Sequence, residues 1–583
     1  MAVNFRKAPF SLTDEQIDWV ERTYESLSFD EKIGQLICCS LSQFDAETME
    51  RVTGLHIGSL MIRPFPVAGL QENIRCLQDM SRLPMLISGN LENGGAGVLM
   101  GGTLFNQPMG CTATGNMENG YRLGKISAAE ATSVGVNWGF APIVDLDLNY
   151  RNPITNIRAF SSKKEEVLEM ARGYLKAAKE EGLTATIKHF PGDGSDERDQ
   201  HLLVSVNELG YEEWMDSYGW IYQRLIDEGA PTVMAGHIAQ PAVARAIEPG
   251  ISDRDAFMPA SQSKTLLTGM LRGRLGFNGL IVTDSTLMVG YMAKLPRRDG
   301  LCASIEAGAD MILFNRNMEE DVAYLKAGVR DGKISQERFR DAVLRVLALK
   351  ASMDLHRKKA EGRIVPGPDA LKVIGCEQFK AWTKECADEA PTLVKDKGIL
   401  PLSPEQTKRV YLNVIQNEVN DQSPFAQKMV KRLEAEGFEV TLRRREMKIN
   451  MEEMIQGIMT PDSVRVMTEI MATTESFTSQ YDLAMIVLDM PTESNATVVR
   501  VKWSVFAGLG NDIPWYAGEM PLVVVSFANP YHLLDIPMAD VYINAYTDNE
   551  ETQEAVFDKL MGRSDFVGVS PVDPFCGHED CRI

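Results

Sequence analysis

The sequence lacks long hydrophobic runs. No stretch of about 18 consecutive apolar residues occurs in its 583 residues, so a helix that crosses a bilayer is not expected. Residues 1–30 are polar and acidic, without the basic start and apolar stretch of a secretory signal. Cysteine is scarce as well, and the nine that occur are scattered, which is typical of a reduced protein without a disulfide framework. Together these absences predict a cytoplasmic protein that does not bind membranes.

Basic residues are also in short supply. Lys and Arg number 60 and Asp and Glu number 81, which gives a formal net charge of −21. A surface this acidic repels phosphate backbones, so nucleic acid is not an expected partner. The remaining composition, with 44% hydrophobic and 24% charged residues, is ordinary for a soluble globular protein. The length predicts about two to four domains.

Eight short apolar runs alternate with amphipathic helical stretches over the first 355 or so residues. The runs are Ile33–Cys38, Gly58–Ile62, Met85–Ser88, Gly139–Val144, Thr184–Ile187, Thr232–Ala235, Gly279–Val282 and Met311–Phe314. Short continuous runs separated by helices are typical of parallel strands that are buried on both faces. Eight such units in about 300 residues favour an α/β fold of the (β/α)8 TIM-like barrel type. A doubly wound open sheet is the alternative.

A second domain is predicted beyond the barrel. Residues 356–380 are polar and contain Pro366-Gly367-Pro368, which indicates a linker. Strand-like runs then recur at Val410–Val414, Leu483–Leu488 and Leu522–Phe527, with helical patterns between them. We therefore predict a barrel over 1–355, a linker over 356–380 and a C-terminal α/β sandwich domain over 381–583.

Polar residues follow five of the predicted barrel strands. They are Asn90, Asp145, Lys188-His189, His237 and Asp284. Barrel enzymes place their reactive groups just past the carboxyl ends of the strands. One polar residue at a strand end is weak evidence, but a barrel would bring all five positions to one cavity.

A glycine-rich loop after the fifth run ends in Asp199-Gln200-His201. In a turn, this spacing lets Asp199 accept a hydrogen bond from one ring nitrogen of His201 and leaves the other nitrogen for a substrate. Such a pairing orients the ring and tunes its proton affinity, as a general acid/base near neutral pH requires. A solvated loop with an incidental histidine is the plainer interpretation.

Asp284 closes the apolar run Gly279–Val282 after a single threonine. An ionisable residue at the end of an apolar strand is costly to bury unless it is used or paired. Asp284 could therefore serve as a nucleophile, a general base or a metal ligand. Capping of a following helix by Asp284 and Ser285 explains the same residues equally well.

These segments resemble glycoside hydrolase family 3, particularly its β-N-acetylglucosaminidase branch. The matching passages are Phe140–Asp145, Lys188–Gly192, Val233–His237, Pro259–Asp284 and Ala307–Asp310, with Gly398–Leu402 and Val525–Tyr531 in the second domain. The resemblance implies a retaining mechanism in which Asp284 is the nucleophile. It also implies that His201, supported by Asp199, is the acid/base.

The resemblance further implies that Arg158, Lys188 and His189 hydrogen-bond the hydroxyls of the sugar. Two positions depart from the family pattern. Asn90 stands where the family usually has an Asp that binds substrate, and Asp193 stands where the glucosaminidase loop commonly has a His. An amide donates as well as accepts, so Asn90 leaves the preferred sugar open.

We therefore predict a retaining, exo-acting β-N-acetylglucosaminidase that acts on small oligosaccharides or glycosides, as a monomer or homodimer. The mechanism requires no cofactor, and the cysteines and histidine of Cys576–Cys581 fall short of the four ligands of a zinc site. Three alternatives stay open. They are a β-glucosidase with a Glu acid/base from another domain or loop, a glycoside phosphorylase, and a sugar-binding protein without turnover.

Overall fold

A computed structural model describes residues 2–41, 43–420, 422–444, 451–461, 464, 472–495, 499–503, 505–506, 509–510 and 513–583. The chain divides into two compact units. The first comprises Met1–Thr112, Asn116–Thr383 and Glu493–Thr497, and the second comprises Ala113–Gly115, Lys384–Thr492 and Val498–Ile583. Within the described part of the chain, no helix combines the length and hydropathy needed to cross a membrane. All nine cysteines carry free thiols.

The first unit contains a closed barrel of eight parallel strands, which confirms the predicted fold class. The strands are β1 (Ile37–Leu41), β2 (Ser59–Ile62), β3 (Leu86–Gly89), β4 (Trp138–Gly139), β5 (Thr184–Phe190), β6 (Thr232–Ala235), β7 (Leu280–Ser285) and β8 (Met311–Leu313). Each strand pairs with its neighbours in the sequence, and β8 closes the barrel against β1. Almost all strand residues are buried, as expected for parallel strands covered by helices.

Two of the predicted runs differ from the strands. The first, Ile33–Cys38, begins inside the helix Phe29–Gly34, whose start is fixed by a capping box between Ser28 and Glu31. The fourth run, Gly139–Val144, contributes only Gly139 to a strand. Pro142 has no backbone N–H to donate to a ladder, and pairing resumes only as an isolated bridge between Ile143 and Lys188.

Helices surround the barrel strands. The α-helices of the first unit are Asp14–Ser26, Phe29–Gly34, Ala46–Gly54, Val67–Met80, Glu118–Ser133, Lys164–Glu180, Tyr211–Asp216, Tyr218–Asp227, Pro241–Ile247, Asp253–Ala256, Val289–Met292, Arg297–Ala307, Met318–Arg330, Gln336–Ser352 and Leu355–Ala360, and Thr265–Arg274 is a π-helix. Glycine lets two of them approach closely. A Cβ on Gly120 would lie 2.4 Å from the carbonyl oxygen of Met170, so larger residues would push these helices apart.

The segment 356–380 belongs to the first unit. It contains a 3-10 helix at Pro368–Val373 and the start of the helix Glu377–Glu389. The backbone N–H of Gly375 donates to Oε1 of Glu130 at 2.9 Å, and Nε2 of Gln71 donates to the carbonyl of Gly367 at 3.2 Å. The predicted domain bounds stay predictions.

The second unit is built on a six-stranded mixed sheet. Its strands are β9 (Thr392–Asp396), β10 (Arg409–Gln416), β11 (Glu439–Leu442), β12 (Leu483–Asp489), β13 (Leu522–Ser526) and β14 (Val541–Asn544), in the order β9-β14-β13-β12-β10-β11. Strand β9 runs antiparallel to β14, and the other pairs are parallel. The α-helices are Glu377–Glu389, Pro424–Ala435, Met451–Ile455, Thr474–Thr478 and Glu550–Leu560, with Pro108–Ala113 at the division between the units. Separate apolar clusters cover the two faces of the sheet.

Candidate active site

A cavity of about 400 Å³ opens where the carboxyl ends of the barrel strands meet. Six of the seven predicted site residues line it: Asn90, Arg158, Lys188, His189, His201 and Asp284. The seventh, Asp199, lies behind His201 and is hydrogen-bonded to it. The structure thus brings together residues that are separated by nearly two hundred positions in the sequence.

Asp284 lies near the end of β7 and is only 7% exposed. Its Oδ1 accepts a hydrogen bond from the backbone N–H of Ser285 at 2.7 Å, and its Oδ2 lies 3.9 Å from Nε2 of His189. Burial alone would raise the pKa of Asp284. The imidazoles of His189, His237 and His201 outweigh that effect, and the pKa lies below its usual value. Asp284 is therefore an ionised carboxylate at the cavity wall, the state that a nucleophile requires.

His189 is held by a second buried carboxylate. Nδ1 of His189 lies 2.7 Å from Oδ2 of Asp145, and the backbone N–H of His189 donates to Oδ1 of Asp145 at 3.1 Å. Nδ1 is therefore the ring nitrogen that Asp145 holds. Nε2 of the same ring then faces Asp284.

The Asp199–His201 hydrogen bond expected from the spacing is present. Oδ1 of Asp199 accepts from Nδ1 of His201 and from its backbone N–H, both at 2.7 Å. Oδ2 accepts from the backbone N–H of Asn495 at 2.8 Å. Burial raises the pKa of Asp199, but these hydrogen bonds prevail and hold it below the usual value. With Nδ1 occupied, Nε2 of His201 is the nitrogen left for a substrate, and the side chain is 18% exposed.

Glu92 binds two of the predicted substrate-binding cations. Its Oε1 accepts from Nζ of Lys188 at 2.6 Å and from Nη2 of Arg158 at 2.9 Å, and its Oε2 accepts from Nε of Arg158 at 2.9 Å. Burial opposes ionisation of Glu92, but Arg158 and Lys188 bring its pKa far below the usual range. Sequence reasoning assigned no role to Glu92. A charged residue two positions after Asn90, just past β3, was the available signal.

The two departures from the family pattern lie in different surroundings. Asn90 is exposed on the cavity wall. Asp193 is buried, and its carboxylate accepts from Nδ2 of Asn152 at 2.8 Å and from Nε2 of Gln200 at 3.0 Å. Burial and the nearby carboxylate of Asp145 raise the pKa of Asp193 to about 6.

Other cavity residues were not foreseen. Arg63 follows β2 directly, so its position at a strand end was a usable signal. Ser494 and Asn495 also line the cavity and belong to the first unit. No local pattern links them to the barrel, because the contact between Asn495 and Asp199 spans 296 residues. The described residues include no group of three or more His, Cys, Asp or Glu side chains arranged to hold a metal ion.

Comparison with known proteins identifies the family. Residues 28–349 match the model of the glycosyl hydrolase family 3 N terminal domain. A beta-N-acetylglucosaminidase/beta-glucosidase from Cellulomonas fimi is 40% identical over 591 aligned positions that cover 100% of both chains. Beta-hexosaminidase A from Pseudoalteromonas piscicida is 28% identical over 56% of each chain.

Solved structures agree with this result. Beta-glucoside phosphorylase BglX is 42% identical, with a TM-score of 0.90 and 99% of each chain covered. A beta-N-acetylglucosaminidase from Paenibacillus sp. is 23% identical, and its TM-score of 0.75 over 94% of this chain and 99% of that chain shows a shared fold. The sequence motifs, the barrel and the similarity along the whole chain lead to one conclusion, which confirms the predicted family. The chain belongs to glycoside hydrolase family 3 and is a glycosidase.

Proposed function

We propose that the chain is a retaining, exo-acting β-N-acetylglucosaminidase that also accepts β-glucosides. The observation that carries the proposal is the buried carboxylate of Asp284, which lines the same cavity as the His201 ring that Asp199 holds from behind. The dual activity in the name of the Cellulomonas fimi relative, which matches the whole chain, supports the sugar specificity.

In the first step, Asp284 attacks the anomeric carbon of the terminal sugar. A bond forms between Oδ2 of Asp284 and that carbon as the bond to the leaving oxygen breaks. The proton on Nε2 of His201 passes to the leaving oxygen. Before this transfer, Asp199 stabilises the protonated imidazole of His201 and keeps its ring oriented.

In the second step, His201 acts as a base. Its Nε2 takes a proton from the incoming water as the water oxygen attacks the anomeric carbon, and the bond to Asp284 breaks. Two displacements at one carbon retain its configuration. Lys188, Arg158 and Asn90 are positioned to bind the sugar hydroxyls, and Glu92 holds the two cations in place.

The cavity favours a histidine over a glutamate as the acid/base. Among the described residues that line it, the carboxylates are Glu92 and Asp284. Glu92 is bound to Arg158 and Lys188 and has a strongly lowered pKa, so it cannot supply a proton near neutral pH. Glu493, two residues from Asn495, is exposed and is not among the lining residues.

Phosphorolysis is a second candidate, favoured by Arg63. Arg158 and Lys188 are bound to Glu92, whereas Arg63 lines the cavity and makes no ion pair or side-chain hydrogen bond among the described residues. A guanidinium binds phosphate bidentately, and a neutral imidazole does not repel a phosphate dianion as a carboxylate would. The phosphate oxygen would replace water in the second step and yield a sugar 1-phosphate. The similarity to a beta-glucoside phosphorylase supports this candidate.

One experiment tests both candidates. Release of nitrophenol from the β-N-acetylglucosaminide and the β-glucoside is measured with and without phosphate, and the sugar product is identified. Free sugar of retained configuration in both buffers supports hydrolysis, and a sugar 1-phosphate supports phosphorolysis. In the latter case Arg63→Leu should raise KM for phosphate by about tenfold or more and leave the reaction with water within about twofold. Sugar binding without turnover of either substrate would contradict both candidates.

Release of free sugar from alkyl glycosides tests a glutamate acid/base. Glu493→Gln should retain wild-type activity. An alkyl glycosidase activity that is lost in Glu493→Gln and kept in His201→Ala would overturn the role of His201.

A further inference from the structure

Gln200 lies between the two members of the Asp199–His201 pair, and its side chain is fully buried in the barrel unit. Its Nε2 donates to Oδ2 of Asp193 at 3.0 Å. Its Oε1 accepts from the backbone N–H of His237 at 2.8 Å. The side-chain amide of Gln200 thus donates to Asp193 with its nitrogen and accepts from His237 with its oxygen.

The Asp193 side of this contact leads to the nucleophile. The backbone N–H of Asp193 donates to Oδ1 of Asp145 at 2.8 Å. Oδ2 of Asp145 holds the ring of His189, whose Nε2 lies 3.9 Å from Asp284. Gln200 is therefore connected to Asp284 through four successive polar contacts, by way of Asp193, Asp145 and His189.

The His237 side leads to the same strand end. Nδ1 of His237 lies 2.9 Å from the hydroxyl of Ser261, and Nε2 lies 2.8 Å from the carbonyl oxygen of Ser285. Because a carbonyl only accepts, Nε2 of His237 is the donor in the second contact. Ser285 is the neighbour of Asp284, so this side also ends at the nucleophile.

The acid/base ring has few contacts of its own with the barrel. Nδ1 and the backbone N–H of His201 both bind Asp199, two residues away in the same loop. The carbonyl of His201 accepts from the backbone N–H of Val289 at 2.8 Å. The distance between His201 and Asp284 must therefore be set by residues that anchor this loop.

We infer that Gln200 is a positioning residue, which fixes the acid/base loop against the strand end that carries the nucleophile. The inference rests on the proposed function. It gives a role to Gln200, for which the pairing of Asp199 with His201 gives none. A glutamine with one donor and one acceptor end matches the carboxylate of Asp193 on one side and the N–H of His237 on the other. Loss of this match should displace His201 and leave Asp284 in place.

The test compares two leaving groups. A dinitrophenyl glycoside leaves without protonation, whereas a methyl glycoside needs the acid, and kcat/KM reports only the steps up to the release of the first product. Gln200→Ala and Gln200→Glu should lower kcat/KM by about 10- to 100-fold for the methyl glycoside, which is part of the about 10²–10⁴-fold contribution of a general acid. The value for the dinitrophenyl glycoside should stay within about threefold.

Exchanging the carboxylate at 193 and the amide at 200 keeps the net charge and should rescue the activity that Gln200→Glu loses. In the double variant Asp193→Asn with Gln200→Glu, the new amide nitrogen at 193 donates to the new carboxylate at 200, whose other oxygen still accepts from His237. The oxygen of the amide at 193 keeps the hydrogen bonds from Asn152 and Gly194. The double variant should recover activity on the methyl glycoside to within about threefold of wild type, because the hydrogen bond is restored.

Gln78→Ala is the matched control. Gln78 is also fully buried and also makes two hydrogen bonds, to the backbone N–H and carbonyl of Met85, but it does not line the cavity. Its loss should lower the melting temperature without changing the ratio of the two kcat/KM values.

Equal losses on both substrates in the Gln200 variants, or a double variant no better than Gln200→Glu, would overturn the inference. If Gln200→Ala does not fold, Gln200→Glu and the double variant still decide. Full activity of Asp284→Ala would instead contradict the proposed function.

Discussion

The cluster of Glu92, Arg158 and Lys188 gives a prediction that can be calculated from burial. Glu92→Gln leaves two cations without their carboxylate, although the amide oxygen keeps one acceptor. Breaking a buried ion pair costs about 3–5 kcal/mol. The side chains of Lys188, Glu92 and Arg158 are 3%, 13% and 27% exposed, so water can reach only part of the cluster. We therefore expect Glu92→Gln to lower the free energy of unfolding by about 3 kcal/mol, the lower end of that range.

The pH dependence of the free energy of unfolding gives a second test of Glu92→Gln. Because the pKa of Glu92 is lowered in the folded chain, its contribution to stability is present above the ordinary value of 4.5 and is lost as the pH falls below it. Denaturant unfolding of the barrel unit, followed at pH 7 and at pH 4, should show a smaller gap between wild type and Glu92→Gln at the lower pH.

A matched control separates burial from pairing. Glu319→Gln breaks a comparable pair with Arg51, but both side chains are nearly half exposed, and about 1 kcal/mol or less is expected. Equal stability losses for Glu92→Gln and Glu319→Gln, or a gap that widens toward low pH, would show that burial of the Glu92 carboxylate with Arg158 and Lys188 does not set the cost.

Three further predictions concern buried carboxylates of the barrel unit. Asp199→Asn should lower kcat/KM for alkyl glycosides by about 100-fold and leave activated aryl glycosides nearly unchanged, since the imidazolium loses its carboxylate; parallel kinetics on the two substrates check this, and an equal loss on both would contradict it. Asp310→Asn should cost about 3–5 kcal/mol, because the fully buried Asp310 carboxylate binds Arg272 at 2.6 Å and also pairs with Arg338. Active-site titration should then show unchanged kcat per folded molecule, which a role in catalysis would not permit. Asp145→Asn should lower kcat/KM by about tenfold or more on both alkyl and aryl glycosides, because the His189 ring beside Asp284 loses its orienting carboxylate; a loss confined to alkyl glycosides would contradict this.

Local patterns were sufficient to predict the barrel and much of the candidate site. The apolar runs correspond to strands because a strand buried on both faces needs a continuous apolar segment, and residues just past those runs reach the cavity. The bond between Asp199 and His201 could be anticipated because both residues lie in one turn. The first run was predicted to begin at Ile33, which is too early. Ile33 is apolar because it lies on the buried face of the helix Phe29–Gly34, and an apolar run alone does not distinguish that helix from a strand.

Contacts between distant segments could not be predicted in this way. Nothing near Glu92 in the sequence indicates that Arg158 and Lys188 neutralise it, and nothing near Asn495 indicates that its N–H reaches Asp199. In the second unit, β9, β11 and β14 were not among the predicted runs. Strand β11 has a weak pattern because Glu439–Leu442 alternates between exposed and half-buried residues at the edge of the sheet. Such features depend on which segments the fold brings together, and a single sequence does not specify that by pattern.

The proposed mechanism requires a covalent intermediate on Asp284. A 2-deoxy-2-fluoro-β-glucosyl fluoride slows both steps and has a good leaving group, so the intermediate should accumulate on the intact protein. Mass spectrometry of the whole chain and of its peptides should find one fluoroglucosyl adduct, on the peptide that contains Asp284, and none in Asp284→Ala. An adduct on another carboxylate, or turnover of the substrate by Asp284→Ala at the wild-type rate, would rule out Asp284 as the nucleophile.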